Sequence, residues 1–170
     1  MTSVSSQFDA SATGGCLDRR CEQIGVTMVH AEPDGRISAV VSPDSGWLEK
    51  LVAESAIFAS VLARHAADWA EPGAAHPTEV WPGCWTVPLP IMQRRRCVGF
   101  EIAVLLTDRL LGSEQFVQIC SAAGLDHTVM VGRARQAHFV RESEIRRLAR
   151  MLHWMSRDVD RLERHVSEID

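Results

Sequence analysis

Apolar positions along this chain recur at two periods, and the changes of period mark out its elements. Leu17, Cys21 and Ile24 fall at helical spacing and Gly25 follows as a ready C-cap, which predicts a short first helix. Val26–Glu32 and Ile37–Val41 then read as strands. Between them Pro33-Asp34-Gly35-Arg36 is a turn, in which proline presets φ and glycine accepts a left-handed backbone. Residues 26–41 are therefore a predicted hairpin. Ser42-Pro43-Asp44-Ser45 opens a helical stretch with Ser45 as candidate N-cap. From Trp47 to Trp69, Leu48, Leu51, Val52, Ile57, Phe58, Val61, Leu62 and Ala66 keep helical spacing, as one long helix or two broken near Ser55. Glu71–Pro77 is a loop. Three β segments follow, at Glu79–Trp81, Trp85–Ile91 and Cys97–Leu106, with Arg94, Arg95 and Arg96 in the turn between the last two. Pro88 and Pro90 suggest an edge position or an early end for the second of these. Ser113 caps a helix over Glu114–Ala123 that stops at Gly124, and another spans Asp126–Arg135.

The terminal helix, starting near Glu142 or Ser143, carries a narrower pattern. Ile145, Leu148, Leu152, Met155, Val159, Leu162, Val166 and Ile169 alternate at spacings of three and four. That is the seam of two supercoiling helices, and its a and d residues lean toward a parallel pair. Met151 and Trp154 widen the apolar face over about residues 142–155, so this half is expected to dock on its own domain. The later heptads have no such cover. Leu152, Met155, Val159, Leu162 and Val166 are the candidate dimer interface. Against it, Asp158 of one helix would face Glu163 of the other. The competing expectation is the terminal helix of a monomer. The seam is still in phase at Asp170, which reads as a helix leading into a further, output domain.

Composition narrows the classes. The length suits one domain, and 46% apolar residues can build its core. A net charge of −4 argues against a general nucleic-acid or anionic-membrane binder. Residues 1–14 are rich in Ser, Thr and Ala with no basic or apolar signal region, and are expected to be a disordered leader. No window approaches the roughly 18 apolar residues of a membrane span. Five cysteines, an odd number, in a chain of this size point to reduced thiols and a cytoplasmic protein.

Catalytic chemistry finds no frame here. Cys16, Cys21, Cys84, Cys97 and Cys120 lack the second closely spaced pair of a zinc site and read as small buried residues. The seven histidines form no HExxH, HxH or HD pair. There is no GxSxG elbow and no glycine-rich phosphate loop. The expectation is a protein that is not an enzyme and holds neither metal nor cofactor. The aromatic set is skewed, with five Trp, five Phe and no Tyr. Core packing explains most of it. The functional reading is an apolar pocket between sheet and helices, walled by Phe58, Trp81 and Trp85, with Cys84 and Phe100 beside them and His65 or Arg64 as a polar fixer. A second motif, Phe116–Gly132, has the small-residue and glycine spacing of a helix-turn-helix. Its second helix offers only Asp126, His127 and Thr128 to read bases, so nucleic acid is the alternative.

Residues 26–110 resemble the PocR-type sensory domains, PAS/GAF-like input modules of bacterial signalling proteins. The pieces that carry the resemblance are EPDGRI at Glu32–Ile37, VWPGCWTVPLPI at Val80–Ile91 and RRRCVGFEIAVLLT at Arg94–Thr107. The continuation SEQFVQICSAAGLD and LARMLHWMSRDVDRL is similar to linkers that precede HD-GYP-type phosphohydrolases or other output domains. Where that family has a cysteine after the first hairpin, this chain has Pro43–Gly46. The resemblance implies an α+β fold with a five-stranded antiparallel sheet, helices on one face and a long C-terminal signalling helix. It implies a sensory domain over 15–140, a coiled-coil helix over 141–170, and a homodimer that relays binding of a small molecule to a covalently linked output domain.

Overall fold

The computed structural model describes residues 11–42, 47–71, 76–137 and 139–167, leaving aside the side chains of 11–16, 47, 50, 53–54, 159–160 and 162–167. In chain order the elements are α1 (Ser11–Gln23), β1 (Thr27–Ala31), β2 (Ile37–Val41), α2 (Trp47–Glu54), α3 (Ala56–Trp69), β3 (Thr78–Trp81), β4 (Cys84–Gln93), β5 (Arg96–Leu106), α4 (Glu114–Ala122), α5 (His127–Ala134) and α6 (Ile145–Ser167). Short 3-10 turns at Asp108–Gly112 and Glu142–Glu144 precede α4 and α6. The class is α+β, as expected. The five strands form one antiparallel sheet in the order β2-β1-β5-β4-β3.

Local chemistry places most boundaries. The helical stretch after β2 is broken at Ser55, whose hydroxyl accepts the Phe58 backbone N–H at 3.3 Å and so starts α3. Ser113 does the same for Phe116 at the head of α4, and Asp126 for Val129 at the head of α5. Ser45, the cap expected for α2, lies outside the described residues. The helix α1 begins at Ser11, inside the segment read as a leader. Leu17 and Cys21 are buried against the sheet and anchor it, and an anchored helix extends by one hydrogen bond per residue. Residues 1–10 lie outside the described part.

The expectation of helices on one face only is corrected: both faces of the sheet are covered. On β5, Phe100, Ile102, Val104 and Leu106 face the core shared with α2, α3, α4 and α5, whereas Ala103 and Leu105 face α1 and α6. Val29 and Ala31 of β1 join the first core, and Met28 joins the second. A strand apolar at both parities has no face to leave in water. β4 lies between β3 and β5 in the strand order, but β3 pairs only with its Cys84–Thr86 end, so Pro88 and Pro90 fall where β4 has β5 alone as neighbour, the local edge that prolines suggest.

The face that α6 buries is narrower than expected. Ile145, Ala149 and Leu152 are inside the second core, but Met151 is 39% exposed and Trp154 is 73% exposed. Leu152, offered above as an interface residue, is fully covered within its own chain and has no surface left for a second copy. Met155 is half-buried at the rim of that core. The side chains of Val159, Leu162 and Val166 are outside the described residues.

Candidate functional site

The larger core holds two groups of packed aromatic rings between α3 and the sheet. Helical spacing puts Phe58, Leu62, Ala66 and Trp69 on one side of α3, all buried. Phe58 meets the edge of Trp81 on β3, with ring centroids 5.2 Å apart and planes at 70°. Trp69 packs edge-on to Phe100 of β5 at 6.1 Å. His65, partly exposed, stacks on Trp69 at 5.5 Å and 16°. Cys84 of β4 is fully buried in the same core.

Five of the six pocket candidates, Phe58, His65, Trp81, Cys84 and Phe100, thus lie on one face of the sheet. Trp85 does not. It follows Cys84 on β4, successive strand residues point to opposite faces, and its ring packs with the α1 and α6 core. The expectation of a shared Trp81–Trp85 wall therefore fails.

The polar groups of this region are few. The indole N–H of Trp81 is buried and has no hydrogen-bond partner among the described residues, and the same holds for Trp85. An unmatched buried donor costs free energy that an acceptor supplied from outside recovers. Burial drives the Cys84 thiol strongly up from its ordinary value, with the nearby Glu79 carboxylate adding to the effect, so it is neither a thiolate nucleophile nor a ready metal ligand. Glu79 accepts the Gly83 N–H at 2.9 Å and lies 3.4 Å from Arg109, which also reaches Glu142 at 3.2 Å, just ahead of α6. The Val140 N–H donates to the Leu106 carbonyl at 2.8 Å. The end of β5 is thereby tied to the segment that launches α6.

The opposite face carries a pair that the sequence reading did not single out. His30 Nε2 on β1 lies 3.1 Å from Asp18 Oδ1 on α1. The hydrogen bond to Asp18 raises the His30 pKa, against burial that lowers it, with the charges of Asp18 and Glu101 also raising it. Cys21 sits nearby, its thiol pushed up to about 12 by burial and then by Asp18 and Glu101. Twelve residues separate Asp18 from His30, and no motif links them. Only the docking of α1 across the sheet brings them together. Among the described residues no group of three or more His, Cys, Asp or Glu is placed to hold a metal ion.

No family model, curated protein or solved structure matches this chain. Its reading rests on geometry. The α4–α5 pair has the tight turn of a helix-turn-helix, with Gly124 at φ +67° and the Leu125 N–H donating to the Cys120 carbonyl at 2.8 Å. The start of α5 is poorly equipped to read bases. Asp126 is occupied as the cap, and His127 packs edge-on against buried Phe116 at 5.4 Å. Of the three polar side chains proposed as readers, Thr128 is the one left facing outward without a structural task. Among the described residues no helix is long and apolar enough to cross a membrane.

Proposed function

We propose that this chain is a PAS/GAF-like sensory input module of a signalling protein, one that couples occupancy of the α3–sheet core to the arrangement of α6 in a homodimer. The observation that carries this reading is the strand order β2-β1-β5-β4-β3, with the helical insertion between β2 and β3 and the last helix leaving from the far face. That layout accords with the resemblance read from the hairpin and the Pro-Gly-Cys segment. The aromatic pairs Phe58–Trp81 and Trp69–Phe100 are the proposed ligand-responsive part, with the unmatched Trp81 N–H as its polar contact. The ligand class is a small, largely apolar molecule bearing one hydrogen-bond acceptor. The relay passes along β5 through the Leu106–Val140 hydrogen bond into α6. Such a ligand shifts the helices only by its differential affinity for two arrangements. The output domain after Asp170, the cytoplasmic setting and the absence of catalysis in this chain belong to the same proposal.

The test is hydrogen exchange on the intact chain carrying Trp81→Phe or Phe58→Leu, with sedimentation of the unmodified chain beside it. Altered protection in α6 from either core change, in a dimeric protein, supports the relay. Unchanged protection throughout α6, or a monomer at high micromolar concentration, overturns it.

A further inference from the structure

The β4–β5 hairpin outruns the sheet. The last pair between β1 and β5 is Ala31 with Phe100, and β3 leaves β4 at Thr86. Beyond these points, among the described residues, β4 and β5 pair only with each other, through Ile91 with Gly99, Met92 with Cys97 and Gln93 with Arg96. The result is a two-stranded arm projecting about 10 Å past its neighbours. Its turn residues are Arg94 and Arg95, both at positive φ, +46° and +67°. That is type I′ geometry, in which Asn-Gly is the favoured pair and two arginines are strained. Arg96 follows at once, and all three are exposed with no acidic partner among the described residues. No acidic residue occurs from Val80 to Phe100. Three large aliphatic side chains on the arm also face water: Ile91 at 36%, Met92 at 46% and Val98 at 39% exposure.

We propose that this arm is a docking element for an anionic bilayer surface, its arginines meeting lipid phosphates and its aliphatic side chains entering the headgroup boundary. Charge and chemistry together select this occupant. The unpaired arginines favour an anionic partner over a neutral or cationic one, and each basic side chain near such a surface adds to binding. The aliphatic groups have no ring to stack on a base and no donor to read one, which disfavours nucleic acid. The net charge of −4 repels any polyanion that embraces the whole domain. An arm that projects about 10 Å past the neighbouring strands exceeds a Debye length of about 8 Å, so its arginines can meet the surface with the rest of the sheet screened from it. The arm binds from one side and crosses nothing.

The test is co-sedimentation of the full chain with phosphatidylcholine vesicles, with and without phosphatidylglycerol, and with a short DNA duplex as the rival polyanion. Binding is expected only to the anionic vesicles and is expected to fall as salt rises. The decisive variant is Arg94→Asn with Arg95→Gly, which supplies the turn its preferred residues and so should raise the melting temperature. The same variant should weaken vesicle binding at least about tenfold. Ile91→Ser with Met92→Ser should weaken it with the charges intact. Failure to bind anionic vesicles, unchanged binding in the stabilised Asn-Gly variant, or binding to the duplex in place of the vesicles overturns the proposal.

Discussion

Phe58 joins the helical connection to the sheet, being fully buried and edge-on to Trp81. Replacing it with alanine removes that contact and leaves a cavity, so Phe58→Ala should cost about 3–5 kcal/mol in urea unfolding. A loss under 1 kcal/mol, on the same scale, would show that the core closes around the gap. The Asp18–His30 pair makes a different kind of claim. The pKa of His30 is higher in the folded chain than the ordinary 6.5, because Asp18 holds its protonated form. A raised folded pKa means that the folded state binds the proton more tightly. The pair's contribution is therefore complete below the unfolded pKa and is lost as pH rises through the higher folded value. Stability followed by thermal melts should decline over that window, and Asp18→Asn should flatten the slope. An unchanged slope in that variant would assign the pH dependence elsewhere.

Elements here are set by their ends. The hydroxyl of Ser55 caps α3 and is itself buried, so the break between α2 and α3 is built into the chain rather than imposed by packing. Ser55→Ala should destabilise by about 1 kcal/mol in chemical denaturation, with Ser113→Ala at α4 of similar size. A neutral result at both positions would mean that packing alone holds these helix starts. The Pro82-Gly83 turn is less forgiving. Gly83 sits at φ +79°, and a Cβ there would run into the Leu110 backbone nitrogen. Gly83→Ala therefore meets both a strained backbone and a backbone clash, and should lower the melting temperature more than either serine change. The alternation of β5 was legible from its letters, as was the position of every strand to within a residue or two. What its apolar residues at both parities implied, a second layer of helices, was also present in the sequence and was missed by reading the strand against one face.

At the scale of the whole molecule, the heptad stripe of Ile145 to Val166 is longer than the part of α6 that the second core covers. An ideal helix rotates a strict seven-residue pattern by about 20° per heptad. In a straight helix, a seven-residue stripe begun at Ile145 and Leu152 would turn in the direction of the flank where Met151 and Trp154 stand exposed. Val159→Glu with Leu162→Glu should leave the domain folded by circular dichroism and convert a dimer to a monomer in analytical ultracentrifugation. Trp154→Glu should weaken the same association. A dimer that survives all three substitutions does not use this helix.

The sequence by itself determined the element order, the break near Ser55, the cap at Ser113 and the start of a helix at Asp126. These follow from local period and from side chains that bond within three residues, so a single chain segment contains the information. Only the tertiary structure decided which sheet face each residue serves and which distant residues meet. It put Trp85 with α1 and α6 instead of beside Trp81, brought Asp18 to His30, covered Leu152 and left Trp154 in water. Local period fixes which side of its own element a residue occupies. It does not say which partner that side will find, because the partner is chosen by burial summed over the whole chain.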